Sequence, residues 1–157
     1  MTVSVETETT IGRPAADVFE ALTAVERYPE WLIASGIVGV ERLDGGPLRV
    51  GSKLRISQTV AGRSTMLDGA VTSFNRDAAF GLRGKDKDGV TIEIDAALAP
   101  DGSTTTPAAA TTLRWSVRIG LPLRYRMFES MVTPQARRAA ILDLEALKRR
   151  LESVAQG

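Results

Sequence analysis

The sequence predicts an α+β fold: antiparallel strands followed by one long C-terminal helix. Three observations predict it. Several segments alternate apolar and polar residues with a period of two, as half-buried strands do. Most links between them are short, as antiparallel pairing requires. The final stretch, Pro122–Ala155, opens on proline, contains no glycine and is rich in Ala, Leu, Arg and Glu, so it reads as a helix. Such a helix needs a surface for its apolar face, and the concave side of a curved sheet supplies one.

In chain order, Thr2–Ile11 is a strand with Val3, Val5, Thr7, Thr9 and Ile11 on one face. Pro14 opens a short helix over Ala15–Thr23, with Asp17 near its positive end and Val18, Phe19 and Leu22 on one side. Val25–Ile33 is a second helical piece, broken by Pro29 and rich in aromatics; Tyr28 and Trp31 there either pack or, for Trp31, line the mouth of a cavity. Strands follow over Gly36–Leu43, Gly51–Val60, Ser64–Phe74, Ala78–Arg83, Val90–Leu98 and Thr111–Ile119. The turns between them are Asp44-Gly45-Gly46-Pro47, Ala61-Gly62-Arg63, Asn75-Arg76-Asp77 and the charged run Gly84–Gly89. Pro100–Ala109 is a Gly/Ser/Thr/Pro/Ala loop expected to be mobile. Ser64–Phe74 leaves its register open: Asp68 shares a face with Met66 and Phe74, and burying both Val71 and Phe74 needs a bulge.

Composition narrows the chemistry. The 157 residues suit one domain, 1–157. There are no cysteines and no histidines, so thiolate, disulfide and imidazole chemistry are excluded, and acid–base work falls to Asp, Glu, Lys, Tyr or Arg. Glycine-rich phosphate loops, calcium loops and metal-ligand spacings are not found, so neither cofactor nor metal is expected. The net charge of +1 gives no reason to expect nucleic acid. From Pro122 onward seven bases face four acids; a solvated face explains this, and an anionic membrane surface or acidic partner is the sharper reading. No apolar run reaches membrane-spanning length, and the alternating N-terminus does not resemble a signal peptide, so a cytoplasmic location is expected, as monomer or homodimer.

Ile11-Gly12-Arg13-Pro14-Ala15-Ala16-Asp17-Val18-Phe19, followed by Tyr28-Pro29-Glu30-Trp31, resembles the opening of the polyketide cyclase/dehydrase-like proteins, part of the START-like (birch-pollen-allergen-like) helix-grip superfamily. Val50-Gly51-Ser52, Thr112-Leu113-Arg114-Trp115 and Leu147-Lys148 fit the same pattern. The resemblance implies a helix-grip fold: a seven-stranded antiparallel sheet wrapped around the C-terminal helix, with an apolar cavity between them roofed by the two short helices. It implies no catalytic constellation that maps onto this chain, since the superfamily spans carriers, receptors, cyclases and chaperone activators.

The expected ligand is therefore a small apolar molecule, aromatic, polyketide-like or lipid-like. Its lining is expected from Trp31, Ile56, Gln58, Ile94 and Trp115, with Phe128, Met131 and Gln135 from the helix. On the helix Phe128, Met131, Val132, Gln135, Ala139 and Leu142 form one stripe, Leu144, Leu147 and Leu151 another, and Pro134 is a sufficient cause for a bend between them. Asp68 is the candidate acid or base if it faces inward. The alternatives are a cyclase, dehydratase or isomerase using such groups, and a protein- or membrane-interaction module.

Overall fold

A computed structural model describes residues 2–100 and 110–154. Its seven strands are β1 (Thr2–Ile11), β2 (Ile37–Arg42), β3 (Lys53–Val60), β4 (Arg63–Asn75), β5 (Ala79–Lys85), β6 (Thr91–Pro100) and β7 (Thr111–Gly120). They form one antiparallel sheet in the order β1-β7-β6-β5-β4-β3-β2. Helix α1 (Ala15–Thr23) and a 3-10 segment, Val25–Glu30, connect β1 to β2. After β7 a 3-10 segment, Leu123–Phe128, leads into α2 (Glu129–Val154). This is the helix-grip architecture expected. The greater part of the expected Pro100–Ala109 loop, residues 101–109, lies outside the described residues.

Alternation decides which side chains face the helix. Val3, Val5 and Ile11 of β1 are buried, and across the ladder they meet Ile119, Val117 and Thr111. On β4 the inner face is taken by Leu67, Gly69 and Val71, with Leu67 opposite Ile56. The ladder to β5 then shifts between Val71 and Ser73, a bulge that returns Phe74 to the inner side opposite Phe80. Ala61 and Gly62, at φ +53° and +77°, make the two-residue turn between β3 and β4, where left-handed backbone suits the twist of the strands.

Packing closes one end of the curved sheet. Val18, Phe19 and Leu22 of α1 are buried, and Phe19 meets Phe74 and Phe80 edge-to-face at 5.3 and 6.4 Å between ring centres. Trp31 stands edge-to-face on Trp115 at 5.7 Å and beside Tyr28 at 5.5 Å. Ala140, Leu144 and Leu147 of α2 are buried, with Ala136 and Leu151 half-buried against the same core. The spacing of 136, 140, 144, 147 and 151 keeps these residues on one helical face. Pro134 lies inside α2, which is continuous as an α-helix from Glu129 to Val154.

Two sets of polar contacts tie α2 to opposite edges of the sheet. At β1, the Gly12 amide donates to Glu152 at 2.8 Å and the Lys148 ammonium donates to the Thr10 carbonyl. At the entry to β2, the Asp143 carboxylate accepts from Ala34 and Ser35. Because β1 and β2 are the two edge strands, the helix bridges the opening of the gripped sheet.

Candidate functional site

The inner face of the sheet is almost wholly apolar. Reading the register across it, one row runs Leu54, Gly69, Gly84, Ile92, Ile119 and Val3. Another runs Val71, Leu82, Ile94, Val117 and Val5. At the two glycines the floor is filled from the neighbouring row: a Cβ on Gly84 would lie 3.1 Å from Leu67 and one on Gly69 3.4 Å from the end of Ile56. Arg42, opposite Leu54, and Arg63, at the start of β4, are ionisable side chains that share this face by register. The Arg42 guanidinium donates to the Gly46 carbonyl at 2.5 Å, while its Nε is buried without a partner.

The face is unevenly covered. Under α1 and the C-terminal half of α2, Phe80, Ala96, Leu113 and Trp115 are buried. Toward the end of β7 and the start of β6, Ile92, Ile94, Val117 and Ile119 are only half-buried, as are Ile37 and Val40 on β2. These aliphatic side chains are the least covered part of the trough that the inner face of the curved sheet makes.

Of the expected lining residues on the strands, Gln58 and Ile94 are half-buried, while Ile56 and Trp115 are buried. Ile56, Gln58, Ile94 and Trp115 all stand on the inner face. Trp31 joins them by stacking on Trp115, but at 2% exposure it belongs to the packed roof and not to an open mouth. Gln58 is already engaged: its amide nitrogen donates to the Ser35 carbonyl at 2.9 Å.

The remaining expectations are corrected. Phe128 and Met131 are exposed, at 46% and 60%, and Gln135 is exposed as well. The phase of α2 is set by Ala136, Ala140, Leu144, Leu147 and Leu151. Met131 precedes Ala140 by about two and a half turns, and Gln135 by about 1.4, which carries both to the far side of the helix. Asp68 also points away. Its side chain is 83% exposed and lies 3.7 Å from Arg55 on the outer face, because Leu67 and Val71 hold the inner one. A shallow cleft of about 810 Å³ lies there, lined in part by Arg55, Met66, Asp68 and Lys85. Polar and charged side chains make up most of its wall, which reaches Gln58 on β3.

The sequence reading missed the buried polar centre. Asp143 is 1% exposed. Its Oδ1 accepts from the Ala34 amide at 2.8 Å, and its Oδ2 from the Ser35 amide at 3.1 Å and the Ser35 hydroxyl at 2.5 Å. Burial pushes its pKa up, against these three donors, which favour the carboxylate. The signal was available, since Asp143 precedes Leu147 by four and so falls on the Leu144/Leu147 face. Tyr28 is similar: buried, with its hydroxyl donating to the Leu22 carbonyl, and pushed well above the usual phenol range by burial. Both groups are buried and hydrogen-bonded to the backbone of the fold.

At the rim, Arg124 donates to the Asp88 carbonyl and lies over the Tyr125 ring at 5.0 Å. The Asp86 carboxylate accepts from the Asp88 and Val90 amides at 2.9 Å each, a self-contained hairpin tip. Among the described residues no cluster of acidic side chains is arranged to hold a metal ion, and no helix is long and apolar enough to cross a membrane.

The family described as polyketide cyclase/dehydrase and lipid transport matches over residues 2–152. A START superfamily protein from Mycobacterium smegmatis superposes with a TM-score of 0.74 at 18% identity, covering 97% of this chain and 99% of that one. The Zhui aromatase/cyclase from a Streptomyces species gives 0.74 at 18% identity, covering 97% and 94%. A Thermus thermophilus protein gives 0.75 at 13% identity, covering 96% and 98%. At such identities the likeness is one of fold. No curated protein matches the sequence.

Proposed function

The chain belongs to the polyketide cyclase/dehydrase and lipid transport family, and from that premise we propose that it binds a small apolar molecule, ring-shaped or lipid-like, in the trough between its sheet and α2. One observation carries this reading: Ile92, Ile94, Val117 and Ile119 stand half-buried, side by side, on a largely apolar inner face. An aliphatic surface of this kind gains about 25 cal/mol for each Å² removed from water. Pockets of this type use few polar groups, and the ones near this trough, Gln58 and Arg42, are neutral or cationic.

Binding without turnover is the finer reading. Acid–base chemistry needs a group within reach of the ligand and free to exchange a proton. Asp68 faces outward, while Asp143 and Tyr28 are buried and hydrogen-bonded within the fold. The arrangement suits a carrier or sequestering protein for a neutral molecule better than a cyclase or dehydratase.

The test is titration with N-phenylnaphthylamine, a neutral apolar fluorophore, monitored by emission and backed by native mass spectrometry. Saturable binding is expected. Ile119→Trp, which fills the half-buried end, and Val117→Arg should each weaken it more than tenfold. Asp68→Asn and Gln135→Ala should leave it unchanged. Melting curves separate loss of the trough from loss of the fold. Absence of saturable binding to the probe, a sterol and a fatty acid alike would refute the proposal, as would an equal loss in Asp68→Asn.

A further inference from the structure

The segment that joins β7 to α2 is more apolar on its outside than a solvated surface should be. Leu123, Met127, Phe128 and Met131 are 81%, 77%, 46% and 60% exposed. Four large apolar side chains thus project from nine successive residues, whereas isolated exposed hydrophobics elsewhere on a surface call for no explanation. None of them is needed to hold α2 in place, because its buried face is the Ala140–Leu147 stripe.

Charge distinguishes the possible occupants. Between Leu123 and Arg138 there are four arginines and one acid, Glu129, in a chain whose total charge is only +1. Arg124 is tied to Asp88 of the neighbouring hairpin. Arg126, Arg137 and Arg138 have no carboxylate within 4.0 Å among the described residues. Arg138 follows Met131 by seven residues, two turns on, so both project from the same side of α2. Apolar side chains interleaved with unpaired arginines complement an interface that is hydrocarbon within and anionic at its surface. An acidic protein would satisfy the arginines but not the two methionines and the leucine, which stand clear of the body of the protein.

We propose that Leu123–Arg138 is a peripheral docking surface for an anionic lipid bilayer, with Leu123, Met127, Phe128 and Met131 entering the acyl boundary and Arg126, Arg137 and Arg138 lying at the headgroups. The proposal stands on exposure and charge alone and does not require the trough to bind a ligand.

The experiment is flotation of the full chain with vesicles of phosphatidylcholine, with and without phosphatidylglycerol. Co-flotation is expected with the anionic vesicles only, weakening as salt is raised from about 0.05 to 0.5 M. Met127→Ser/Met131→Ser should weaken it about tenfold or more, and Arg126→Ala/Arg138→Ala about fivefold per arginine. All four side chains are exposed, so melting temperatures should not move, and a variant that melts early is replaced by Leu123→Ser. Failure to float with anionic vesicles overturns the proposal, as does flotation that neither pair of substitutions alters. A dimer in sedimentation velocity that Met127→Ser/Met131→Ser dissolves also overturns it, since a second copy then covers the face.

Discussion

Removing the Asp143 carboxylate tests how the helix is held to the sheet. Three donors converge on it, at 2.8, 3.1 and 2.5 Å, from a segment more than 100 residues away in sequence. Hydrogen bonds to a charged group contribute about 1.5–3 kcal/mol each, which sets an upper bound near 5–9 kcal/mol for three. Two effects reduce it. Ala34 is exposed and Ser35 half-buried, so water can replace part of what is lost. Deleting the carboxylate also removes its own desolvation cost. The net for Asp143→Ala is then about 3 kcal/mol, or a fall of about 6–12 °C in melting temperature for a domain of this size. Ser35→Ala, which deletes one donor, should cost about 1 kcal/mol. Because the hydroxyl bonds the carboxylate directly, the two substitutions should not add. Urea unfolding of wild type, both single variants and the double variant measures the coupling. A melting temperature within about 2 °C of wild type for Asp143→Ala, or strict additivity with Ser35→Ala, would refute the idea that this contact fastens α2 to the entry of β2.

The same residue makes stability depend on pH. Burial raises the Asp143 pKa in the folded chain, so between its unfolded and folded values the native state holds more protons, and stability falls as pH rises through that window. Asp143→Asn has no such proton, and the stability gap between the two proteins should therefore change with pH across the acidic range and be flat above it; a gap constant at all pH values would contradict the assignment. Gly36→Ala should be among the most damaging single substitutions. At φ +77° any side chain is strained, and a Cβ would sit 2.1 Å from the Thr59 carbonyl oxygen, for a cost above about 3 kcal/mol. Gly46→Ala, at φ +85° with open space around it, should cost only about 1 kcal/mol, and the difference between the two melting curves isolates the clash from the backbone strain.

How much the sequence disclosed depended on whether a pattern had one solution. On β1, β6 and β7 alternation is unbroken, so the inward residues could be read directly and Ile94 and Trp115 fell in place. On β4 the pattern had two solutions, only one of which turned Asp68 inward, and the chain adopts the other. The chain uses a bulge after Val71 to bury residues that strict alternation puts on opposite faces. On α2 the difficulty was greater, because the helix is apolar on two sides. Phe128, Met131, Gln135 and Leu142 make a stripe as regular as the Ala140, Leu144, Leu147 and Leu151 stripe that is packed. Helical periodicity reports that a face exists but not whether it is covered. Asp143 was overlooked for another reason. An acid within a leucine-rich face has meaning only through its partners, and Ala34 and Ser35 are set opposite it by the closure of the whole sheet.

The second stripe ties the two ends of α2 to different tasks. Every buried side chain on the helix lies at or beyond Ala140, and the contacts with Gly12, Thr10, Ala34 and Ser35 begin at Asp143. The C-terminal half is therefore fixed by the core and by both sheet edges. The first turns of α2 and the 3-10 segment before them contribute no buried residue, yet they follow directly on the end of β7, where Ile119 marks the open part of the trough. A shift of this first portion would expose little apolar surface that is not already exposed. Such a shift would cost far less than one in the second half, where Leu144 and Leu147 alone represent about 3–6 kcal/mol of burial. Local opening in proteins follows the regions with fewest buried contacts. On the proposed function, an apolar molecule entering the trough would have its least costly path beside Leu123–Met131, the same segment whose exposed side chains and arginines suit a lipid surface. Docking there would bring the mouth of the trough to the phase in which an apolar molecule is dissolved, without disturbing the contacts that hold the grip.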